Sequence, residues 1–155
     1  MLKKIISNKT KSLIINSPAN PTGVSQSDII LKKLSKLNIQ IISDEIYQGL
    51  SIDYPLNTIL KHDPTNSIVV NGFSKYYSMT GWRLGYLIMP KRLIRYAQKL
   101  QQNMFICAPT ISQHAAIGCY KISKKNKDLL IKNYKKNRDF LIKELRRMNI
   151  SVNYK

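Results

Sequence analysis

The stretch Ser67-Ile68-Val69-Val70-Asn71-Gly72-Phe73-Ser74-Lys75, continued through Tyr76-Tyr77-Ser78-Met79-Thr80-Gly81-Trp82 into Arg83-Leu84-Gly85-Tyr86-Leu87-Ile88-Met89, decides how this chain is read. Ile68-Val69-Val70 is a short β-branched run inside Ser67–Asn71, with the length and composition of a buried strand. It ends in Gly72-Phe73-Ser74-Lys75, so an amine stands directly beyond a strand end. Trp82–Met89 reads as a further strand. Pro90 then suits the first turn of a helix, with Leu93, Ala97, Leu100 and Met104 on its apolar face.

The same grammar repeats toward the N-terminus. Ile39–Ser43 is a short apolar strand that runs directly into Asp44-Glu45-Ile46-Tyr47. The helix before it carries Ile30, Leu34 and Leu37 on one face. Ser25-Gln26-Ser27-Asp28 fits a capping box, with Ser25 as the cap and Asp28 reaching back, and Asn38 stops the helix. Lys11–Asn16 is the first strand, closed by the breaker cluster Ser17-Pro18-Ala19-Asn20-Pro21-Thr22-Gly23. Between Tyr47 and Ser67 the chain reads as loop with a short helix, punctuated by Gly49, Pro55 and Pro64.

Toward the C-terminus, Pro109-Thr110 opens a helix with Ile111, Ala115, Cys119 and Ile122 on one side. A long helix over 124–148 follows, free of glycine and proline and carrying Leu130, Tyr134, Leu141, Leu145 and Met148. Ile150–Asn153 reads as the start of another strand. Strands alternating with helices through short connections predict an α/β fold with a mostly parallel sheet flanked by helices.

The composition excludes several classes. At 155 residues and 43% apolar content the chain can bury one real core. No apolar run approaches the roughly 20 residues that span a bilayer, so no membrane partner is expected. Met1-Leu2-Lys3-Lys4-Ile5-Ile6 starts like a signal peptide, but Ser7-Asn8-Lys9-Thr10-Lys11 ends that reading, and a cytoplasmic protein is expected. Cys107 and Cys119 have neither redox nor zinc spacing and read as buried or half-buried thiols. His62 and His114 lack a triad or metal pattern and read as surface or helix-face residues; no metal is expected. The formal net charge is +18. The lysines are spread along the chain and alternate with apolar residues over 121–147, and aromatic residues are not interleaved with them as in a stacking platform. That pattern is a solvated basic face and not a nucleic-acid surface.

Three polar clusters follow three apolar strands: Asn20 after the first, Asp44 and Tyr47 after the second, Lys75 after the third. In open α/β sheets ligands bind outside the carboxyl ends of the strands, so the three clusters converge on one crevice. An amine can form an imine with an aldehyde cofactor. Pyridoxal 5'-phosphate offers that aldehyde, a pyridine nitrogen, a phenolic O3′ and a phosphate. A carboxylate keeps the pyridine nitrogen protonated. A phenol and an amide can hydrogen-bond O3′, and a guanidinium can pair with phosphate. Asp44, Tyr47, Asn20 and Arg83 supply one candidate for each task.

The three motifs together, Asn20-Pro21-Thr22-Gly23, Ser43-Asp44-Glu45-Ile46-Tyr47 and Phe73–Tyr86, resemble the class I/II aminotransferases of the fold-type I pyridoxal-phosphate superfamily, nearest their aspartate/aromatic branch. The resemblance implies that Lys75 bonds the cofactor aldehyde and moves the substrate proton. It implies that Asp44 pairs with the pyridine nitrogen, Tyr47 and Asn20 with O3′, and Arg83 and Ser74 with the phosphate region. Gly72 stands where many members carry a serine and others a glycine. The bond before Pro21 is expected to be cis. Tyr76, Tyr77, Trp82 and Tyr86 read as packing residues.

The resemblance covers nearly the whole chain, while the chain corresponds to under half of a full-length member. It implies part of a PLP-binding large domain over 1–123, then a linking helix and the start of a small domain over 124–155. Amino-acid and 2-oxo-acid substrates and a homodimer are implied for the full-length family. Two alternatives share the motifs: a carbon–sulfur lyase on the same scaffold, and a non-catalytic truncated or split gene product.

Overall fold

The computed structural model describes residues 5–122 and 124–152. Four strands, β1 (Ser12–Asn16), β2 (Gln40–Asp44), β3 (Ile68–Gly72) and β4 (Gly85–Ile88), form one sheet in the order β1-β2-β3-β4. The first two pairings are parallel and the last is antiparallel. Four α-helices accompany them: α1 (Asp28–Ser35), α2 (Lys91–Met104), α3 (Thr110–Cys119) and α4 (Lys124–Arg147). Short 3₁₀ turns lie at Ile59–Lys61 and Thr80–Trp82. The expected α/β architecture and its mostly parallel sheet are therefore present, and β4 is the exception to parallel order.

Register explains where the core sits. Leu13 pairs with Ile41, Ile15 with Ser43, and Ser43 with Val69, which puts all five side chains on one sheet face. That face packs against Leu31 and Leu34 of α1 and Ile59 of the first 3₁₀ turn. The other face carries Ile14, which is 71% exposed. A second cluster, Phe73, Met79, Ala116 and Cys119, joins α3 to the turn beyond β3. The Ser112 hydroxyl adds a 2.7 Å hydrogen bond to the Trp82 carbonyl.

Several local expectations shift. Ser27, not Ser25, caps α1: its hydroxyl accepts the Ile30 N–H. Asp28 does not reach back but pairs sideways with Lys61 and His62. The Lys61 hydrogen bond, then that of His62, holds the Asp28 carboxyl below its ordinary pKa. The helix consequently buries Leu31 and Leu34, while Ile30 faces outward. Trp82 belongs to a 3₁₀ turn, and β4 starts only at Gly85.

The apolar faces expected for the later helices are only partly covered. No α2 residue is buried, and Leu100 and Met104 lie open. Helix α3 buries Ser112, Ala116 and Cys119, with Ile111 exposed. On α4, Leu130 and Leu145 are half-buried, whereas Tyr134 and Leu141 are exposed, as is Met148 just past the helix end. Cys119 is buried as expected and its thiol is pushed up by burial; Cys107 is exposed instead. His62 is held by Asp28 rather than lying loose on the surface, and His114 is exposed. Residues 150–152 form no strand; Asn153, with which that expectation ended, lies outside the described residues, as does most of Met1–Ile6. Among the described residues no helix is long and apolar enough to cross a membrane.

Candidate active site

The site begins where β1 and β2 end in register, at Asn16 and Asp44. The Asn16 side-chain amide donates to the Asp44 carbonyl, and its Oδ1 accepts the Asn20 N–H at 3.1 Å. The Ser17 N–H also donates to the Asp44 carbonyl. The Ala19 N–H donates to Val24, and the Gly23 N–H to Ala19, closing a tight loop that has Gly23 at φ 70°. The Asn20–Pro21 bond is cis as expected; Ser17–Pro18 is cis as well. These contacts tie the Asn20 loop to the end of β2, so two distant motifs become one wall. Asn20 Nδ2 donates to the Tyr47 hydroxyl at 3.1 Å.

Asp44 is the last residue of β2 and is half-buried. Its Oδ1 accepts the Ile46 N–H at 3.1 Å, an Asx-type turn that fixes the carboxylate. The chain then turns through Tyr47–Leu50, with the Leu50 N–H on the Tyr47 carbonyl. Gly49 sits at φ 92° with the Tyr76 ring 3.0 Å from where a Cβ would stand. Only glycine suits both the backbone conformation and that ring.

Lys75 lies in the turn after β3. The Ser78 N–H closes on the Lys75 carbonyl, the Met79 N–H on Phe73, and the Thr80 hydroxyl on Ser74. Lys75 Nζ stands 5.8 Å from the centre of the Tyr47 ring, within reach of a cation–π contact. The turn is held from behind by Phe73, Tyr77, Tyr86 and Tyr120, whose rings meet edge-on or tilted. Burial raises the phenol pKa of Tyr76, Tyr77 and Tyr86. Gly72 allows β3 and β4 to approach: an added Cβ would meet the Leu84 carbonyl at 3.1 Å and Ile46 Cδ1 at 3.2 Å. A Cβ there would make the neighbouring carbonyl or the Ile46 side chain give by a few tenths of an ångström.

Asn20, Tyr47 and Lys75 are thus brought together, with Asp44 on the same strand-end edge. Ser74 and Arg83 are not joined to them by hydrogen bonds among the described residues. Ser74 is half-buried in the lysine turn. Arg83 is exposed, adopts φ 50°, and donates to the Thr80 carbonyl at 2.9 Å.

Two residues were not singled out from sequence: Asn16, which bridges the Asn20 loop and β2, and Glu45. Glu45, between Asp44 and Tyr47, is 3% exposed. Its Oε1 accepts from the Ser43 hydroxyl, the Thr58 hydroxyl and the Ile59 N–H, each at 3.0–3.1 Å. It fastens the strand end to the 3₁₀ turn. A buried carboxylate needs such partners, but nothing in the local pattern announces them. A pocket of about 460 Å³ opens beside Asn20 and Tyr47 and reaches Arg138 of α4, which is paired with Asp53. The donor set fits pyridoxal phosphate chemically: a strand-end amine, a fixed carboxylate, and a phenol already bonded to an amide.

Comparison with known proteins bears on the same motifs. The family described as aminotransferase class I and II matches residues 1–154. The (5-formylfuran-3-yl)methyl phosphate transaminase of Methanocaldococcus jannaschii is 44% identical over 137 residues, 86% of this chain and 37% of its own length. The aspartate aminotransferase of Thermotoga maritima is 34% identical over 148 residues, covering 92% of this chain and 38% of that one. Among solved structures, a Methanococcus jannaschii protein with an active site similar to kynurenine aminotransferases superposes with a TM-score of 0.89 at 39% identity. The match covers 99% of this chain and 42% of that chain. A Thermus thermophilus aspartate aminotransferase also gives 0.89, at 30% identity, covering 96% and 41%. The chain therefore spans about two fifths of the length of these relatives. Because the match runs through every strand end that carries the site, and over nearly all of this sequence, the chain belongs to the class I and II aminotransferase family.

Proposed function

We propose that this chain carries the cofactor-holding part of a pyridoxal-phosphate-dependent aminotransferase, which exchanges an amino group between an amino acid and a 2-oxo acid. The observation that supports it most is the meeting of Lys75 Nζ and the Asn20–Tyr47 pair over one phenol ring. When bound, pyridoxal phosphate supplies an aldehyde for amine capture and an electron-withdrawing ring. In this reading Lys75 Nζ would be the amine that holds the cofactor aldehyde, and it would carry the proton taken from the substrate α-carbon. Asp44, already oriented by the Ile46 N–H, holds a proton at the pyridine nitrogen. Tyr47 and Asn20 face the cofactor O3′. Ser74 and Arg83 serve the phosphate, Arg83 after its guanidinium leaves or shares the Thr80 carbonyl.

The same reading assigns 1–123 to a PLP-binding large domain and 124–155 to a linking helix and the start of a small domain. It also assigns a homodimer to the complete enzyme, with a place in the cytoplasm and in amino-acid biosynthesis. The test is direct. The purified chain mixed with pyridoxal phosphate should develop the visible absorption of a lysine-bound cofactor, and Lys75→Ala should not. An equal band in both proteins would remove Lys75 from the role; no band in the wild type would end cofactor binding by this chain alone.

A further inference from the structure

We propose that Asn16 is a positioning residue: its side chain anchors the backbone of Asn20 so that Asn20 and Tyr47 meet as a pair, and it thereby sets the donors offered to the cofactor O3′. The role rests on the functional reading above, and Asn16 acts through Asn20 without touching the cofactor itself. Asn16 is the last residue of β1, in register with Asp44. Its amide has only one workable orientation. Oδ1 accepts the Asn20 N–H at 3.1 Å, and Nδ2 donates to the Asp44 carbonyl at 3.2 Å. A flipped amide would set nitrogen against N–H and oxygen against carbonyl.

The loop that carries Asn20 has few other ways to be held. Pro18 and Pro21 supply no N–H. Of the N–H groups from Ser17 to Asn20, that of Ser17 goes to the Asp44 carbonyl, that of Ala19 to the Val24 carbonyl, and that of Asn20 to Asn16. Only the last ties Asn20 itself to the sheet. The Asp44 carbonyl keeps the Ser17 N–H, at 3.0 Å, when the Asn16 amide is removed. The loss therefore falls on Asn20, which is exposed and so is not held by packing. Asn20 Nδ2 in turn donates to the Tyr47 hydroxyl. That bond uses a hydroxyl lone pair and leaves the Tyr47 proton for a third group, which in the functional reading is O3′. Donors aimed at an anionic oxygen favour its charged form, so the geometry of this pair sets how readily the bound cofactor gives up its proton.

The test reads the pair with and without cofactor. In the cofactor-free chain, a nuclear Overhauser contact between the Asn20 side-chain amide and the Tyr47 ring is expected in the wild type and absent in Asn16→Ala. With pyridoxal phosphate added, the pH midpoint of the visible band should rise by roughly half a unit or more in Asn16→Ala. Asn20→Ala should raise it as well. Adding Asn16→Ala to that variant should move it little further, since the two substitutions break one chain of contacts. A purely structural role for Asn16 would lower stability and leave the midpoint where it was. Should Asn16→Ala fail to fold, exchange of the Asn20 N–H in the wild type decides: protection is expected, and exchange as fast as at an unstructured amide overturns the proposal. An Overhauser contact that persists in folded Asn16→Ala, an unchanged midpoint, or shifts that add in full would do the same. A wild type without any Lys75-dependent band ends the functional reading for this chain, and the Overhauser contact then decides the positioning role alone.

Discussion

Glu45 shows how one side chain can hold a site it does not belong to by chemistry. Three donors converge on its Oε1, from Ser43 on β2 and from Thr58 and Ile59 at the 3₁₀ turn. Removing the carboxylate leaves those donors buried without a partner, which costs more than the bonds themselves contribute. Glu45→Ala should therefore lower stability by about 3 kcal/mol, and Glu45→Gln by less, since an amide oxygen can still accept. Urea unfolding of the three proteins checks the order; an alanine variant as stable as the wild type would refute the role. Asp44 and Tyr47 flank this anchor. Their separation from Asn20 in sequence is bridged by Asn16, which bonds both the Asp44 carbonyl and the Asn20 N–H. The places of Asn20, Asp44, Tyr47 and Lys75 at the strand ends were readable because each follows an apolar strand. Glu45 and Asn16 were not, because their partners are remote in sequence.

At the scale of elements, capping separates local from tertiary information. Ser25 and Ser27 both precede α1, and the spacing of Ser25 to Asp28 favours the first. In the fold Asp28 is drawn to Lys61 and His62, 2.8 and 3.0 Å away. The helix starts two positions later than a Ser25 cap would place it, at Asp28, with Ser27 as its cap. Ser27→Ala should cost about 1 kcal/mol, and Ser25→Ala should change little. Thermal unfolding of the two variants discriminates, and a larger loss for Ser25 would restore the capping box. The faces of α2 and α4 were read from helical spacing, which identifies an apolar stripe but not whether anything lies against it. Both stripes exist. What covers a stripe is decided by neighbouring chain, and along α2 little is present.

For the whole molecule, the balance of burial and charge dominates. Among the described residues two small clusters make the core, one under α1 and one between α3 and the lysine turn. Many large apolar side chains remain exposed, among them Phe105, Ile106 and Ile111. Against this modest core stands a net charge of +18. Self-repulsion of that size destabilises a compact state, and salt screens it. Raising ionic strength from about 10 mM to about 150 mM should raise the unfolding temperature at neutral pH. An unchanged or lower midpoint would mean that the charges are already neutralised within the fold, as Asp53 does for Arg138 and Lys135.

The sequence by itself determined the strand-helix alternation, the three polar clusters at the strand ends, and through them the family. These rest on local patterns, periodicity and motif spacing, which survive without knowledge of distant contacts. The tertiary structure alone decided that β4 runs antiparallel, that Glu45 anchors the strand end, that the Arg83 guanidinium bonds the Thr80 carbonyl, and that β4 and α2 leave an open face. Each of these depends on which remote segments meet, and a linear pattern carries no record of what a side chain faces once the chain has folded.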